Sequence, residues 1–261
     1  GSGAGRTKLV EGAIDFAGTD TPMTADEISR IGGAVELPLY ISPIAVAYNL
    51  PGVDDVKMDA ETIAKVFSGE IKNWNDEAIA AQNEGVELPD TPITVVHRSD
   101  DSGTTETFTA YLTEAAGDAW SYDEVETWPS DITAESAQGT KGVVGLASQT
   151  EGAITYADAS AVGELGTVSV KVGEEYVKYS AEAAAATVEK SEAKEDGSIE
   201  LDRATDGGRA ELGRGRTGQD ALERPHRGPR VGDDDDGIGC GTGGHSGKPL
   251  REAIFDMLRL A

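Results

Sequence analysis

Residues 93–108, which read ITVVHRSDDSGTTETF, decide the fold. The β-branched run at 93–96 predicts a short strand, and the polar residues that follow it predict the start of a helix. Residues 102–104, Ser-Gly-Thr, would place free backbone N–H groups and two hydroxyls at that helix N-terminus, where the aligned peptide dipoles favour negative charge. Arg98 adds a planar fork of charged donors. The segment therefore predicts an anion cradle, residues 98–104, between a strand and a helix.

Four further segments accompany the cradle. A Gly/Ser turn at residues 1–6 (GSGAGR) precedes a helix-like stretch, and residues 15–24 (DFAGTDTPMT) place a carboxylate in a turn. Residues 37–49 read LPLYISPIAVAYN, and residues 67–75 read FSGEIKNWN. In this order, the five segments closely resemble the phosphate-binding subunit of bacterial high-affinity phosphate ABC importers, in an actinobacterial-like form. The resemblance covers residues 1 to about 206.

The alternation of helix-like and strand-like pieces favours an α/β fold. The resemblance implies the two-lobed periplasmic-binding-protein fold of type II. Residues 1–42 would be an incomplete first lobe, residues 43–205 would be the second lobe, and a hinge would lie near residues 40–46. The same resemblance implies a monomer that binds inorganic phosphate between the lobes, outside the cytoplasmic membrane, and delivers it to an ABC permease. Catalysis, a cofactor and a metal ion are not part of this prediction.

The resemblance also assigns the residues of the phosphate site. Asp20 has the discriminating task as a buried acceptor, because a carboxylate that faces an anion is repulsive unless the anion carries a proton to donate. Phosphate carries such a proton near neutral pH, and sulfate does not. Asp100, two residues after Arg98, is expected to pair with that arginine and to fix its orientation. The phosphate-binding residues implied by the resemblance are Ser2, Asp20, Arg98, Ser102, Gly103 and Thr104.

Each of these residues also has a purely structural interpretation. Ser102 fits a helix N-cap, Asp20 fits an Asx turn, and Arg98 alone fits a surface charge. Their occurrence together, in the expected order, favours the binding site. The alternative from a different class is a phosphate-ester hydrolase or transferase that uses Ser102 as its nucleophile. The sequence has no Gly-x-Ser-x-Gly elbow and no convincing order of His and Asp partners for that serine.

Charge excludes one class of partner. The chain has 261 residues and a net charge of −26. Residues 207–261 hold 9 of the 22 basic and 9 of the 48 acidic residues, which leaves 13 basic and 39 acidic residues before them. Neutralising a phosphate backbone needs a basic face, so this balance argues against nucleic acid as a partner. The sequence shows no signal segment and no run of about eighteen apolar residues, so the extracytoplasmic location of the full-length parent is expected from the resemblance alone.

The tail, residues 206–261, differs from the rest of the chain. Residues 207–249 are rich in Gly and Arg and contain no Phe, Tyr or Trp. This composition predicts disorder, because too little apolar surface is present to offset the entropy of ordering. The resemblance predicts an apolar strand here, and none is visible. We hypothesise a shifted reading frame after about Asp206, with a natural linker as the alternative. Truncation at the N-terminus is also expected, because the family's first phosphate-contacting loop would lie upstream of Gly1.

Local patterns predict the remaining elements. Asp59–Phe67 has apolar residues at helical spacing and is followed by Ser68 and Gly69, which favour a helix end. Residues 143–147 fit a short helix or a buried strand by periodicity alone. Further predictions are strands at 45–48 and 152–157, a hairpin of 167–172 with 175–179, and a helix at 181–188. Residues without a predicted binding role are Trp74, Trp120 and Trp128 (packing), His97, His226 and His245 (no zinc spacing), Asp233–Asp236 (no EF-hand spacing) and Cys240 (no partner for a disulfide within the chain).

Overall fold

The computed structural model describes most of the chain up to residue 180. The described residues are 1–37, 39–40, 42–180, 192–193 and 199–200. The helix predicted at 181–188 and the tail, including Asp233–Asp236 and Cys240, lie outside them. The expectations of disorder and of a frame shift in the tail therefore stay predictions.

A seven-stranded mixed sheet forms the centre of the described part. Its strands are β1 Ile44–Tyr48, β2 Val56–Met58, β3 Thr94–Arg98, β4 Glu135–Ala137, β5 Ala153–Asp158, β6 Gly166–Val172 and β7 Glu175–Val177. Their spatial order is β2-β6-β1-β5-β3-β4, with β7 paired to β6. β3 runs parallel to β4 and β5, whereas β1 is antiparallel to β5 and β6. Two short strands, β8 Glu192–Ala193 and β9 Ile199–Glu200, pair separately. The predicted strands and the predicted hairpin of β6 with β7 are confirmed.

Six α-helices flank these strands in the described part of the chain. They are α1 Ser2–Val10, α2 Ala25–Arg30, α3 Ala60–Phe67, α4 Glu77–Ala80, α5 Gly103–Ala115 and α6 Gly139–Gln149, with single 3₁₀ turns at Gly117–Ala119 and Ala159–Ala161. The helix predicted at 59–67 is confirmed as α3. Asp59 caps it by accepting the Thr62 N–H at 2.8 Å, and Gly69 follows its end with φ +82°. A side chain that satisfies an orphan N–H and a glycine at positive φ are the usual start and end of a helix.

Tertiary packing decides the ambiguous segment at 143–147. It lies inside α6, where Val143 and Ala147 are four residues apart and therefore share one helix face. Both side chains are fully buried, in a cluster with Val96 of β3 and Ala153 of β5. The apolar pair thus covers the parallel β3–β5 pair as a helix rather than extending the sheet as a strand.

Aromatic side chains dominate the main core. Trp74 is fully buried and donates its Nε1–H to the carbonyl of Gly152 at 3.0 Å. Phe108 of α5 stacks on Tyr156 of β5, with ring centroids 4.5 Å apart, and meets Phe67 of α3 edge-on at 4.7 Å. Trp120 and Trp128 belong to the same cluster, so the packing interpretation of the three tryptophans is confirmed. These contacts fix α5, and hence the N-terminus of α5, against the sheet.

Residues 1–40 are held differently. Met23 is the one apolar side chain among the described residues of this part that is buried, whereas Phe16, Val35 and Tyr40 are exposed. The other buried side chains here are polar, and they are those of Ser2, Arg6 and Thr21. Polar contacts therefore set where this part meets the rest of the protein.

None of the helices in the described part of the chain has the length and apolar character that a membrane crossing needs.

Candidate anion-binding site

The cradle joins the end of β3 to the start of α5. Ser102 is the N-cap of α5, and its Oγ accepts the N–H of Thr105 at 3.3 Å. No described residue accepts from the N–H groups of Gly103 and Thr104, which are the first two of the helix. Helix N-termini carry such unpaired donors together with the positive end of the peptide dipoles. The two N–H groups are thus available as donors, and their use by an anion stays a prediction.

The third expected backbone donor is not free. The N–H of Ser102 donates to the carbonyl of Glu126 at 3.1 Å, so the prediction of free N–H groups at all three residues is wrong for Ser102. The reason is tertiary, because the chain that follows α5 returns beside the cradle and its carbonyl takes this donor. The Ser102 hydroxyl keeps its own hydrogen while its oxygen caps the helix, since a hydroxyl both donates and accepts. The N-cap interpretation of Ser102 and its binding role are therefore compatible.

Arg98 and Asp100 form a bidentate ion pair. Nε and Nη2 of Arg98 donate to the two carboxylate oxygens of Asp100 at 2.8 and 2.6 Å, so the predicted pairing of these two residues is confirmed. The N–H of Gly139 adds a third hydrogen bond to Asp100 at 3.0 Å. The Arg98 hydrogen bonds, followed by the Gly139 N–H, hold the pKa of Asp100 well below its usual range despite partial burial. Asp100 stays ionised and orients the guanidinium.

The remaining nitrogen of Arg98 faces two threonine hydroxyls. Nη1 lies 3.5 Å from Oγ1 of Thr104 and 3.4 Å from Oγ1 of Thr140, at the long limit of hydrogen bonding. The Arg98 side chain is 5% exposed, so this charged donor sits in a largely dry setting. Thr140 is not among the site residues predicted from the sequence. The signal was present, because Gly139-Thr140 opens α6 after a strand, much as Gly103-Thr104 opens α5.

Ser2 and Asp20 lie together on the other side of the site. The N–H of Asp20 donates to Oγ of Ser2 at 3.1 Å, and that hydroxyl lies 3.5 Å from Oδ2 of Asp20. Ser2 is the first residue of α1 rather than part of a turn before it, and it is buried. The prediction of a buried acceptor at Asp20 is wrong, because Asp20 lies in a bend and is exposed.

Gly103 is the point where the two sides meet. A Cβ placed on Gly103 would lie 2.7 Å from Oγ of Ser2, 2.7 Å from Cβ of Asp20 and 3.2 Å from Cγ2 of Thr21. Gly103 needs no positive φ, so the absence of a side chain serves close approach rather than backbone conformation. The structure thus brings Ser2 and Asp20 beside the cradle from about a hundred residues away in the chain.

The family model of the PBP superfamily domain matches residues 1–209. The chain belongs to the PBP superfamily. Solved structures agree with this PBP superfamily fold. A phosphate-binding protein from Stenotrophomonas maltophilia superimposes with a TM-score of 0.59 at 20% identity, over 74% of this chain and 61% of that one. A periplasmic phosphate-binding protein, PfluDING bound with phosphate, gives 0.55 at 24% identity, over 72% and 58%.

Two curated relatives of this chain are named as phosphate-binding proteins. The chain is 41% identical over 163 residues to phosphate-binding protein PstS 2 of Mycobacterium tuberculosis, which is 60% of this chain and 44% of that protein. It is 35% identical over 164 residues to phosphate-binding protein PstS of Pasteurella multocida, covering 60% of this chain and 46% of that protein. The chain thus spans less than half the length of these relatives. The predicted resemblance and the α/β periplasmic-binding-protein fold are confirmed.

Proposed function

We propose that this chain binds inorganic phosphate where Ser2 and Asp20 meet the cradle, as part of a substrate-binding protein that delivers phosphate to an ABC-type permease. The observation that carries the proposal is the meeting of both sides at Gly103, within contact distance of Ser2 and Asp20. The names of the PstS relatives support phosphate as the ligand.

The donors suit a tetrahedral oxyanion. Nη1 of Arg98, the N–H groups of Gly103 and Thr104, and the hydroxyls around them would each face an anion oxygen. Hydrogen bonds to charged groups contribute roughly 1.5–3 kcal/mol each, so several together offset the dehydration of the anion. Asp100 would act on phosphate through Arg98, by holding its guanidinium in place. The phosphate ligands in this proposal are Ser2, Asp20, Arg98, Ser102, Gly103 and Thr104.

Asp20 would supply the acceptor that distinguishes phosphate from sulfate. It lies beside Ser2 and Gly103, where its carboxylate can accept a hydrogen bond from the O–H of a monoprotonated or diprotonated phosphate. Sulfate has no such proton, so the Asp20 carboxylate would only repel it.

The described contacts favour binding over phosphate-ester hydrolysis. An attacking serine needs a neighbouring base. Oγ of Ser102 caps α5 through Thr105. His97, the one histidine among the described residues, stacks on Trp128 and contacts the carbonyl of Arg98 through Nδ1. None of these contacts gives Ser102 a base.

The proposal extends to the setting of the full-length parent. It would be an extracytoplasmic monomer that docks on the membrane-embedded permease subunits when phosphate is bound. Neither a cofactor nor a metal ion has a part in this proposal, and nucleic acid is not a partner.

Calorimetric titration of this chain with phosphate, and separately with sulfate, tests the proposal. Phosphate should saturate one site per chain, and sulfate should bind far more weakly. A phosphate titration without heat of binding at millimolar concentration would contradict the proposal. A chromogenic phosphate ester should show no turnover, and turnover abolished by Ser102→Ala would favour the enzyme alternative.

Ser102→Ala should weaken phosphate binding by roughly 1–3 kcal/mol, since a donor to the anion is lost. Asp59→Ala is the control, because it removes the N-cap of α3 rather than of α5. It should lower the stability of the protein to a similar degree and leave phosphate affinity unchanged.

A further inference from the structure

We propose that Glu126 is a positioning residue that ties the Ser2–Asp20 side of the site to the cradle. We call Glu126, Arg6 and Thr21 the Glu126 strut. The inference rests on the proposed function, because the spacing that the strut sets is the spacing between the two groups of phosphate ligands.

One end of the strut is a backbone contact with the cradle. The carbonyl of Glu126 accepts the N–H of Ser102 at 3.1 Å, directly before the two free N–H groups of α5. Glu126 is therefore held to the cradle whatever its side chain does.

The other end is the carboxylate. Oε1 of Glu126 accepts from Nη1 of Arg6 at 2.7 Å and from the Thr21 hydroxyl at 2.9 Å, and Oε2 accepts from Nη2 of Arg6 at 2.5 Å. Arg6 is one helical turn after Ser2 on α1, and Thr21 directly follows Asp20. One side chain thus holds the neighbours of both ligands that come from the first part of the chain.

Arg6 is a structural cation rather than an anion ligand. All three of its nitrogens have partners, since Nε donates to Glu27 at 3.2 Å and Nη1 also reaches Thr21 at 2.7 Å. Its side chain is 9% exposed. The hydrogen bond to Glu126 raises the pKa of Arg6 further above its usual range, against the effect of burial. Apolar packing cannot replace this pair, because Met23 is the one buried apolar side chain of the described residues 1–40.

Glu106 completes the polar cluster from the first turn of α5. Burial, followed by its hydrogen bond with Glu126, raises the pKa of Glu106 to about 7. Arg6 has the opposite effect on Glu126 and holds its pKa below the usual value. Glu126 is therefore charged when it pairs with Arg6. Of the two glutamates, Glu106 is the one that holds a proton at mildly acidic pH.

The test uses Glu126→Gln, with Glu124→Gln as the control at an exposed position two residues away. Two quantities are measured, the phosphate dissociation constant and the hydrogen exchange of the α1 amides without phosphate. Glu126→Gln should raise the dissociation constant and the α1 exchange rates at least tenfold each. Glu124→Gln should change either by less than twofold. Equal behaviour of the two variants would overturn the strut.

A double variant separates the strut from general destabilisation. Arg6→Gln with Glu126→Gln should bind phosphate no worse than the poorer single variant, because both single changes break the same contact. Additive losses would overturn the proposal. If Glu126→Gln fails to fold, Thr21→Val removes one hydroxyl of the strut at nearly constant volume and should show the same two effects, at least threefold each; unchanged values would overturn it.

The failure of the proposed function has a different signature. If the parent chain does not bind phosphate, the proposed function fails and the α1 exchange rates decide the strut alone. Faster exchange in Glu126→Gln than in Glu124→Gln then supports the strut, and equal exchange overturns it.

Discussion

Gly103 and Asp20 are so close that a Cβ on Gly103 would lie 2.7 Å from the Cβ of Asp20. Real Cβ atoms do not approach so closely, so this contact exists only because residue 103 has no side chain. It joins the first helical residue of the cradle to the one acidic side chain proposed to contact phosphate directly.

Gly103→Ala should therefore separate the two sides of the site. The added methyl must displace the Asp20 bend, and overpacking of this kind costs roughly 1–3 kcal/mol of stability. Phosphate affinity should fall at least tenfold, about 1.4 kcal/mol. Gly145→Ala is the matched control, because Gly145 lies in α6 with nothing within 4 Å of its Cβ position. That change should stabilise the protein slightly and leave binding unaltered. Chemical unfolding measures the stability of each variant, and calorimetric titration measures its phosphate affinity.

Arg98→Lys should weaken phosphate binding by roughly 1.5–3 kcal/mol, the value of a charge-assisted hydrogen bond. A lysine cannot bind both oxygens of Asp100 and still present a second nitrogen to the anion. Arg30→Lys makes the same replacement at an exposed position in the last turn of α2 and should change affinity less than twofold. Equal affinity of Arg98→Lys and the parent would make Arg98 purely structural.

Asp20→Asn should narrow the preference for phosphate over sulfate. The amide can donate to a sulfate oxygen, its carbonyl can still accept from phosphate, and the repulsive charge is gone. Because Asp20 is exposed, water can also satisfy it, and the parent's preference should be smaller than the roughly 10⁴-fold or more that fully buried polar groups reach. Asp15→Asn, another exposed aspartate of the same segment, is the control. If competition titrations give the same ratio of phosphate to sulfate affinity for Asp20→Asn and Asp15→Asn, Asp20 does not discriminate between the two anions.

Glu106 predicts a pH dependence of stability. Its pKa is raised to about 7, so between its ordinary value and about 7 the folded state holds a proton that the unfolded state has released. The free energy of unfolding must therefore fall as pH rises through this window. Burial raises the pKa of Glu106 most, Glu126 and Glu124 raise it further, and the hydrogen bond with Thr21 lowers it.

Glu106→Gln should remove this contribution. The variant should gain stability relative to the parent at pH 8 and lose that advantage near pH 5, as measured by urea unfolding at both pH values. Glu114→Gln, at an exposed position of the same helix, should differ from the parent equally at both pH values. A Glu106→Gln advantage that does not depend on pH would contradict the assignment.

Much of the fold and several site contacts could be predicted from local sequence. Asp59 before an apolar helix and Ser102 before Gly103 are cap signals that depend only on neighbouring residues, and both caps are present. The pairing of Arg98 with Asp100 spans two residues and is likewise local. Residues 143–147 could not be assigned this way, because a short apolar run satisfies a helix and a buried strand equally until its neighbours are known.

The sequence by itself determined the α/β class, the order of the elements and the chemical types available for an anion, since these follow from propensity, capping and residue identity. Tertiary structure alone decided that Glu126 takes the Ser102 N–H and that Asp20 is exposed. Each of these facts depends on which groups distant in the chain arrive at the same place. Long-range packing therefore decides which groups form hydrogen bonds with each other and which side chains are exposed. A local sequence pattern does not contain this information.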